Sequence, residues 1–385
     1  MKSETNSSFK FFVEPAPSLQ KVLEDFLEKL SDSLRQLGAS KDEVFLILAG
    51  GYGRGEGGVF FSTPESEPQL YNDLEFYLFT KESRLPQNLN QWMHDWAEKG
   101  EAYTGIEVEF KWMPISRLVR EGTTMFTYDL LSAHVLVFGE SNWTEALPQE
   151  LFDSTQIPLR EAVRLLFNRG STHFFARFAL QNDTDRSNSG YVERLQGKIK
   201  LALGDSVLSA HQRYHFSCRE RNSRLRDLDC HDVPKDFDQI REWHQIGVEF
   251  KLKPSYPKWD RDQTLRHHED LRQVWERTFL WLESRRLEQH FGSLHEYSNT
   301  RRNLSPDTPL LKSLVLRLRD RLVRKAHLAN MAEYPRAALQ RVLAVLQQKQ
   351  LEERDWSQAA RILALETTNP SEIHDAYRMW WLRYN

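Results

Sequence analysis

The chain has 385 residues, 40% of them hydrophobic and 28% charged, with a net charge of −3. That length suits two domains, each able to bury its own core, and eleven tryptophans with 22 phenylalanines favour packing over disorder. The near-neutral balance excludes a global pull toward nucleic acid or anionic membrane, so any such contact would need a local patch.

The opening MKSETNSSFKFF has no apolar core of signal-peptide length, and no apolar run approaches a membrane span, so a cytoplasmic protein is expected. Ser18–Gly38 places Leu19, Val22, Leu23, Phe26, Leu27, Leu30, Leu34 and Leu37 at helical spacing, opening on a serine cap and stopping at a glycine. EVFLILAG reads as a buried strand, and Asn72–Thr80 as a second. Pro86–Gly100 reads as a helix and Gly105–Pro114 as a third strand. TYDLLSAHVLVFGE (Thr127–Glu140) reads as a helix. Residues 1–150 therefore read as an α+β domain, a small mixed sheet flanked by helices.

After Pro158 strand signals vanish, and 151–385 read as an all-α domain. Helices are expected from Leu159, Tyr191, Asp236, Asp262, Pro309, Pro335, Glu353 and Ser371. QNDTDRSNSG and RNSRLRDLDCHDVP (Arg221–Pro234) read as irregular. Cys218 and Cys230 are the only cysteines, too few for a secreted framework or a cysteine metal cluster.

AGGYGRGE (Ala49–Glu56) is the stretch with chemistry in it. A phosphate loop would need Lys then Ser or Thr after its last glycine, and neither follows. Gly53, Gly55 and Gly58 fit a dinucleotide fingerprint by spacing, but that motif opens a helix, and GGVFFSTPESEPQLY has no helical period. A third arrangement fits better: a strand ending in Gly-Gly, a turn, then a strand with two acids one residue apart. Asp73 and Glu75 supply the pair, on one face by strand alternation, with Leu74 and Phe76 facing the core. Two carboxylates so placed repel unless a cation sits between them, and magnesium is the natural occupant. IEVEF offers Glu107 and Glu109 as a third acid.

GGYGRGE followed by NDLE resembles the DNA polymerase β-type nucleotidyltransferase superfamily. In motif it is similar to the bacterial uridylyl- and adenylyltransferases that modify nitrogen-regulatory proteins and glutamine synthetase, whose signature reads like G-G-Y-G-R-G-E followed by S-D-I-D. The resemblance covers about Val44 to Glu140. It implies that Gly50 and Gly51 lie against the phosphates of an NTP, with Arg54 in the same loop. Asp73 and Glu75 would be metal ligands for two magnesium ions. In the adenylyltransferases the third acid stands five positions before a proline, as Glu109 does before Pro114, so Glu109 is preferred over Glu107. Asn72 stands where serine is usual, the second and third acids are both glutamate, and the segment from Gly55 to Asp73 is longer. By analogy with helical domains of the family, Lys198, Asp205 and Tyr214 are candidate nucleotide contacts; a charged solvent face is the plainer reading of their helix.

The expected activity is transfer of an NMP to the hydroxyl of an acceptor, whether small molecule, protein or RNA. A catalytically inactive nucleotide-binding or interaction protein of the same fold is the alternative, as is an RNA-directed enzyme using a basic face of Arg317, Arg321 and Arg324. That face would lie opposite Leu310, Leu314, Leu318 and Leu322. RLVRKAH (Arg321–His327) has the Arg-to-His spacing of HEPN-type ribonucleases, Cys230–Asp232 holds the pair of HD phosphohydrolases, and HHED (His267–Asp270) reads as surface.

Overall fold

The leucine period of the first helix, α1 (Pro17–Gln36), turns Leu19, Leu23, Phe26, Leu30 and Leu34 inward. Its start corrects the expected serine cap. Pro17 occupies the first helical position, where its fixed φ suits a helix and its missing N–H costs nothing, and the preceding Ala16 makes no side-chain cap. The computed structural model describes residues 9–63, 65–181, 190–256, 259–324, 328–330 and 332–385. The chain divides into two units. The first takes Met1–Pro158, His211–Leu228 and Gln245–Tyr256, and the second takes Leu159–Ala210, Asp229–His244 and Pro257–Asn385.

In the first unit, β1 (Val44–Leu48) leads into a single helical turn, α2 (Gly50–Gly53). A short hairpin follows, β2 (Gly58–Phe60) with β3 (Gln69–Tyr71), and then β4 (Asp73–Thr80). Helix α3 (Gln87–Thr104) carries the chain to β5 (Glu107–Pro114), which lies parallel to β4. After α4 (Ile115–Glu121) and α5 (Met125–Ser132), β6 (Val135–Phe138) closes a four-stranded sheet of order β5-β4-β1-β6. β1 is antiparallel to both its neighbours, and it lies inside the sheet with a hydrophobic core on each face, which explains its wholly apolar, wholly buried sequence.

The helix expected over Thr127–Glu140 is thus half right. A capping box between Thr124 and Thr127 starts α5, but the backbone becomes extended at Ala133. Val135, Leu136 and Phe138 then pair along the open edge of β1, in a segment whose β-branched Val135 and Val137 favour a strand. One sheet face packs Leu74, Phe76, Leu78 and Val108 against α1 and α3. The other packs Phe45, Ile47, Tyr77 and Phe79 with Leu118, Leu130, Leu131 and Trp143. The acid pair sits at the leading end of this second face.

Among the described residues no strand follows Phe138. The helices are α6 (Leu159–Gln181), α7 (Tyr191–Ala210), α8 (Cys218–Arg226), α9 (Phe237–Leu252), α10 (Arg261–Leu287), α11 (Leu294–Asn299), α12 (Leu310–Arg324), α13 (Pro335–Leu346), α14 (Glu353–Ile362) and α15 (Pro370–Tyr384). The architecture is therefore an N-terminal α+β region followed by a helical region. Within the second unit α6 packs on α7, α10 and α13. The indole of Trp275 is fully buried, its N–H donating to Leu166 O at 2.8 Å.

Several local expectations change. Helix α8 takes in the first part of the stretch read as irregular, because Ser217 caps it by accepting from the Glu220 N–H. HHED is surface only in part: Asp270 is exposed, but His268 is buried and stacks on His173, ring centroids 3.6 Å apart. Nor is the second half of α7 a solvated face: Lys200 and Asp205 are buried. Burial pulls the Lys200 ammonium down to about 8.

Helix α12 is turned opposite to its pattern. Arg317 is 1% exposed and Asp320 is buried, while Leu311 and Leu322 are 71% exposed and Leu310, Leu314, Val315 and Leu318 also face out. Arg317 donates to Glu333 O, and Asp320 receives Arg383 and Tyr384 from α15. The expected basic surface is therefore not available at Arg317. His327 and the side chain of Arg324 lie outside the described residues, as do 182–189 of the polar loop.

Candidate active site

Strand alternation puts Asp73 and Glu75 on the β4 face that carries Tyr77 and Phe79. The parallel register sets Glu107 opposite Asp73, and Glu109 opposite Glu75. Oxygens of Asp73, Glu75 and Glu109 come within 4.8 Å of one another, and among the described residues no other group of three potential ligands does so. Glu107, exposed at the strand's start, does not join them. Asn72, in the left-handed region at φ 79°, turns the chain into the strand and bonds the Asp73 carboxylate.

Burial raises the Glu75 carboxyl above its ordinary range, and the charge of Asp73 adds to it; Lys111 and Arg54 work against the shift. Lys111, on the same face one alternation beyond Glu109, forms an ion pair with that glutamate. Its ammonium lies 5.7 Å from the Tyr77 ring centre, and burial followed by the Glu75 charge pushes that phenol up to about 12. Alternation through EVEFK is the sequence signal that marks Lys111 for this face.

Three close carboxylates with only oxygen donors suit a hard divalent cation. A cation there would also offset the charge of Asp73, which adds to burial in raising the Glu75 carboxyl. A pH effect follows. Because the Glu75 pKa is higher folded than unfolded, its charge opposes folding. The penalty is absent below about 4.5, the unfolded value, and grows as pH rises through the raised folded value. In chelator at pH 8, Glu75→Gln is expected to melt higher than wild type, with the difference shrinking toward pH 5. Thermal melts across that range check it; a variant melting lower at pH 8 would show that the charge carries no cost.

The turn beside the acids needs its glycines. Gly50 has φ +63°, and a Cβ there would stand 2.5 Å from the Glu75 carboxylate. At Gly53 a Cβ would meet Leu48 O at 2.1 Å. As the first residues of a one-turn helix, Gly50 and Gly51 present amides that no helical carbonyl can receive. Tyr52 locks the turn to the hairpin, its hydroxyl accepting from the Tyr71 N–H at 2.8 Å and bonding Gly58 O and Tyr71 O.

Arg54 faces Asp129 of α5, with Nη1 3.7 Å from the carboxylate. Tyr214 donates to the same carboxylate at 3.2 Å and is itself under the Arg221 guanidinium. Burial raises the Asp129 carboxyl, against the pull of Arg54 and Arg221. Arg54 Nε and Asp129 Oδ1 are buried without a hydrogen-bond partner. Thus Tyr214 and Arg54, both candidate nucleotide contacts, converge on Asp129.

Glu56, the last residue of the glycine motif, has a role the sequence did not disclose. Its buried carboxylate accepts from Ser217 Oγ at 2.6 Å and the Cys218 N–H at 3.0 Å, at the N-terminus of α8, with Lys251 Nζ 3.6 Å away. Burial opposes the charge, but Lys251 and these donors prevail and hold the carboxyl down to about 2. Its contribution is complete above the unfolded value of 4.5 and is lost as pH falls toward 2. Over that interval it amounts to about 3 kcal/mol. Glu56→Gln is expected to cost about that much at pH 7 and to flatten the acid limb of unfolding, as urea titration from pH 7 to 2.5 would show; an unchanged midpoint contradicts it.

Lys198 and Asp205 belong to the second unit, on α7, where Asp205 pairs with buried His244 at 3.0 Å. Asp232 of the Cys230–Asp232 stretch accepts from Trp281 Nε1 and pairs with Arg285, bracing α10. No model of a known protein family matches the chain, and no curated protein matches it. No described helix is long and apolar enough to cross a membrane.

Proposed function

We propose that the protein is a magnesium-dependent nucleotidyltransferase that moves a nucleoside monophosphate from an NTP to an acceptor hydroxyl. The observation that carries this reading is the meeting of Asp73, Glu75 and Glu109 beside the Gly50 turn. In the reaction the acceptor oxygen bonds the α-phosphorus as its bond to pyrophosphate breaks. Two magnesium ions, when bound, would supply charge that stabilises the attacking and leaving oxygens. Asp73 and Glu75 would hold them, with Glu109 completing the set and taking the acceptor's proton once Lys111 yields its contact. Gly50 and Gly51 would admit the phosphates closely, and the unpartnered Arg54 Nε would serve as a donor to an anionic oxygen.

A second reading is nucleotide binding without transfer. One observation favours it: the Lys111 ammonium already sits on Glu109, the residue that would activate the acceptor. Calorimetric titration with non-hydrolysable ATP, CTP, GTP and UTP analogues, with and without magnesium, followed by labelled-NMP transfer to small molecules, proteins and RNA ends, tests both. Magnesium-dependent binding with transfer supports the first reading, and binding without transfer the second. Absence of nucleotide binding overturns both.

A further inference from the structure

The second unit contains a cavity of about 240 Å³ between α6, the approach to α12, and α13. It is smaller than a drug-sized ligand needs, so a compact occupant fits. Arg160, Arg164, Arg286, Lys312 and Arg336 line it. The acids set against them are Glu161 and Asp307 in the wall and Glu283, which holds Arg286. Five cations thus face three carboxylates. The pairs Arg160–Asp307 and Arg164–Glu161 are loose, at 3.8 Å and 3.9 Å, beyond hydrogen-bond reach. Among the described residues no carboxylate lies within 4.0 Å of Arg336 or Lys312, and Arg336 Nε bonds only a carbonyl, Tyr384 O.

The placement runs against helix electrostatics. Arg160 and Arg164 stand in the first two turns of α6, Lys312 in the first turn of α12, and Arg336 in the first turn of α13. Cations are disfavoured at helix N-termini, where the backbone already presents positive charge. Burial lowers the Arg336 guanidinium from its ordinary value, and the neighbouring charge of Arg164 adds to the effect. A fold that gathers repelling cations at three positive helix ends gains by placing an anion among them. Guanidinium forks match phosphate oxygens in pairs, and the hydroxyls of Ser305 and Thr308 in the same wall can bond the remaining oxygens.

We propose that this cavity is a binding site for a small oligophosphate, a pyrophosphate or triphosphate group, held without a metal ion. The site belongs to the second unit and does not depend on the carboxylates of the first.

The test uses the full chain carrying Asp73→Asn, in chelator, so that a metal-dependent site cannot contribute. Pyrophosphate and tripolyphosphate are titrated calorimetrically at low and moderate salt, with citrate and a single-stranded RNA oligomer as comparisons. Binding of one oligophosphate per chain is expected, weakened by salt and reduced at least tenfold by Arg164→Gln and by Arg336→Gln. Without ligand and at low salt, Arg164→Gln is expected to melt no lower than the parent, because it removes repulsion, which separates loss of binding from loss of fold. The proposal is overturned if neither oligophosphate binds, if binding survives both substitutions, or if citrate binds as tightly. RNA binding more tightly than tripolyphosphate through the same arginines would assign the cavity to nucleic acid and overturn it as well.

Discussion

Asp73→Asn is expected to abolish magnesium-dependent nucleotide binding and transfer while leaving the fold intact. The side chain is partly exposed at the leading end of β4, and asparagine matches its shape, so stability should change by less than about 1 kcal/mol. The functional effect is much larger. Removing even an outer partner of a metal ligand costs about 10–100-fold in affinity, so losing a ligand should cost at least the upper figure. The substitution also removes the Asp73 charge that helps raise Glu75, so the Glu75 carboxyl should titrate closer to its ordinary range. Titration of manganese by electron paramagnetic resonance, beside nucleotide calorimetry, separates these effects. A variant that keeps magnesium-dependent binding would remove the carboxylate cluster from the mechanism.

Mild acid is expected to weaken the second unit well before it weakens the first. His173 and His268 are buried face to face, and each Nε2–H donates to the other's backbone carbonyl, at 3.0 Å and 3.1 Å. Burial holds His173 down to about 3, with the charges of Arg177 and Arg272 adding to it. Burial likewise holds His268 well below 6.5, with His173 next in effect. Both are neutral when folded and titrate near 6.5 when unfolded. Their stabilisation is therefore complete above 6.5 and is lost as pH falls toward the folded values. Between pH 6.5 and 5 that is about 2 kcal/mol for His173, a large part of a typical domain's stability, and His268 acts in the same direction. Over the same interval protonation of Glu75 favours the first unit. Hydrogen exchange at pH 7 and 5 should show protection falling in α6 and α10 and holding in β1 and β4. Replacing both histidines with glutamine should flatten the fall; equal loss of protection in both units would contradict the assignment.

The carboxylate pair and the glycine turn were legible because their cause is local. Alternation puts Asp73 and Glu75 on one face whatever surrounds the strand, and four glycines in eight residues demand unusual backbone. Partner choice was not legible. VLVF after α5 is compatible with helix or strand, and the free edge of β1 decides between them. Glu56 read as the polar end of a motif, because the α8 amides that it caps lie more than 160 residues away. Lys111 was open to reading from alternation, which puts it beside Glu109 on one face of β5, but its place beside Tyr77 depends on the β4–β5 register. In α12 the amphipathic pattern is clear and its usual meaning is reversed, since α15 supplies Arg383 and Tyr384 for Asp320.

That reversal has a thermodynamic consequence. Most of the molecule is held by apolar burial, whose large heat-capacity change makes packing strength vary with temperature. The inner face of α12 is instead polar, with Ser313, Arg317 and Asp320 buried, while Leu310, Leu311, Leu314, Leu318 and Leu322 remain in water. Detaching this helix exposes little new hydrocarbon, so its opening should carry a small or even negative heat-capacity change. The curved dependence of stability on temperature expected of the sheet and the α6–α10 packing would be nearly straight for α12. Cooling, which erodes hydrophobic packing elsewhere, should leave its attachment almost unaltered.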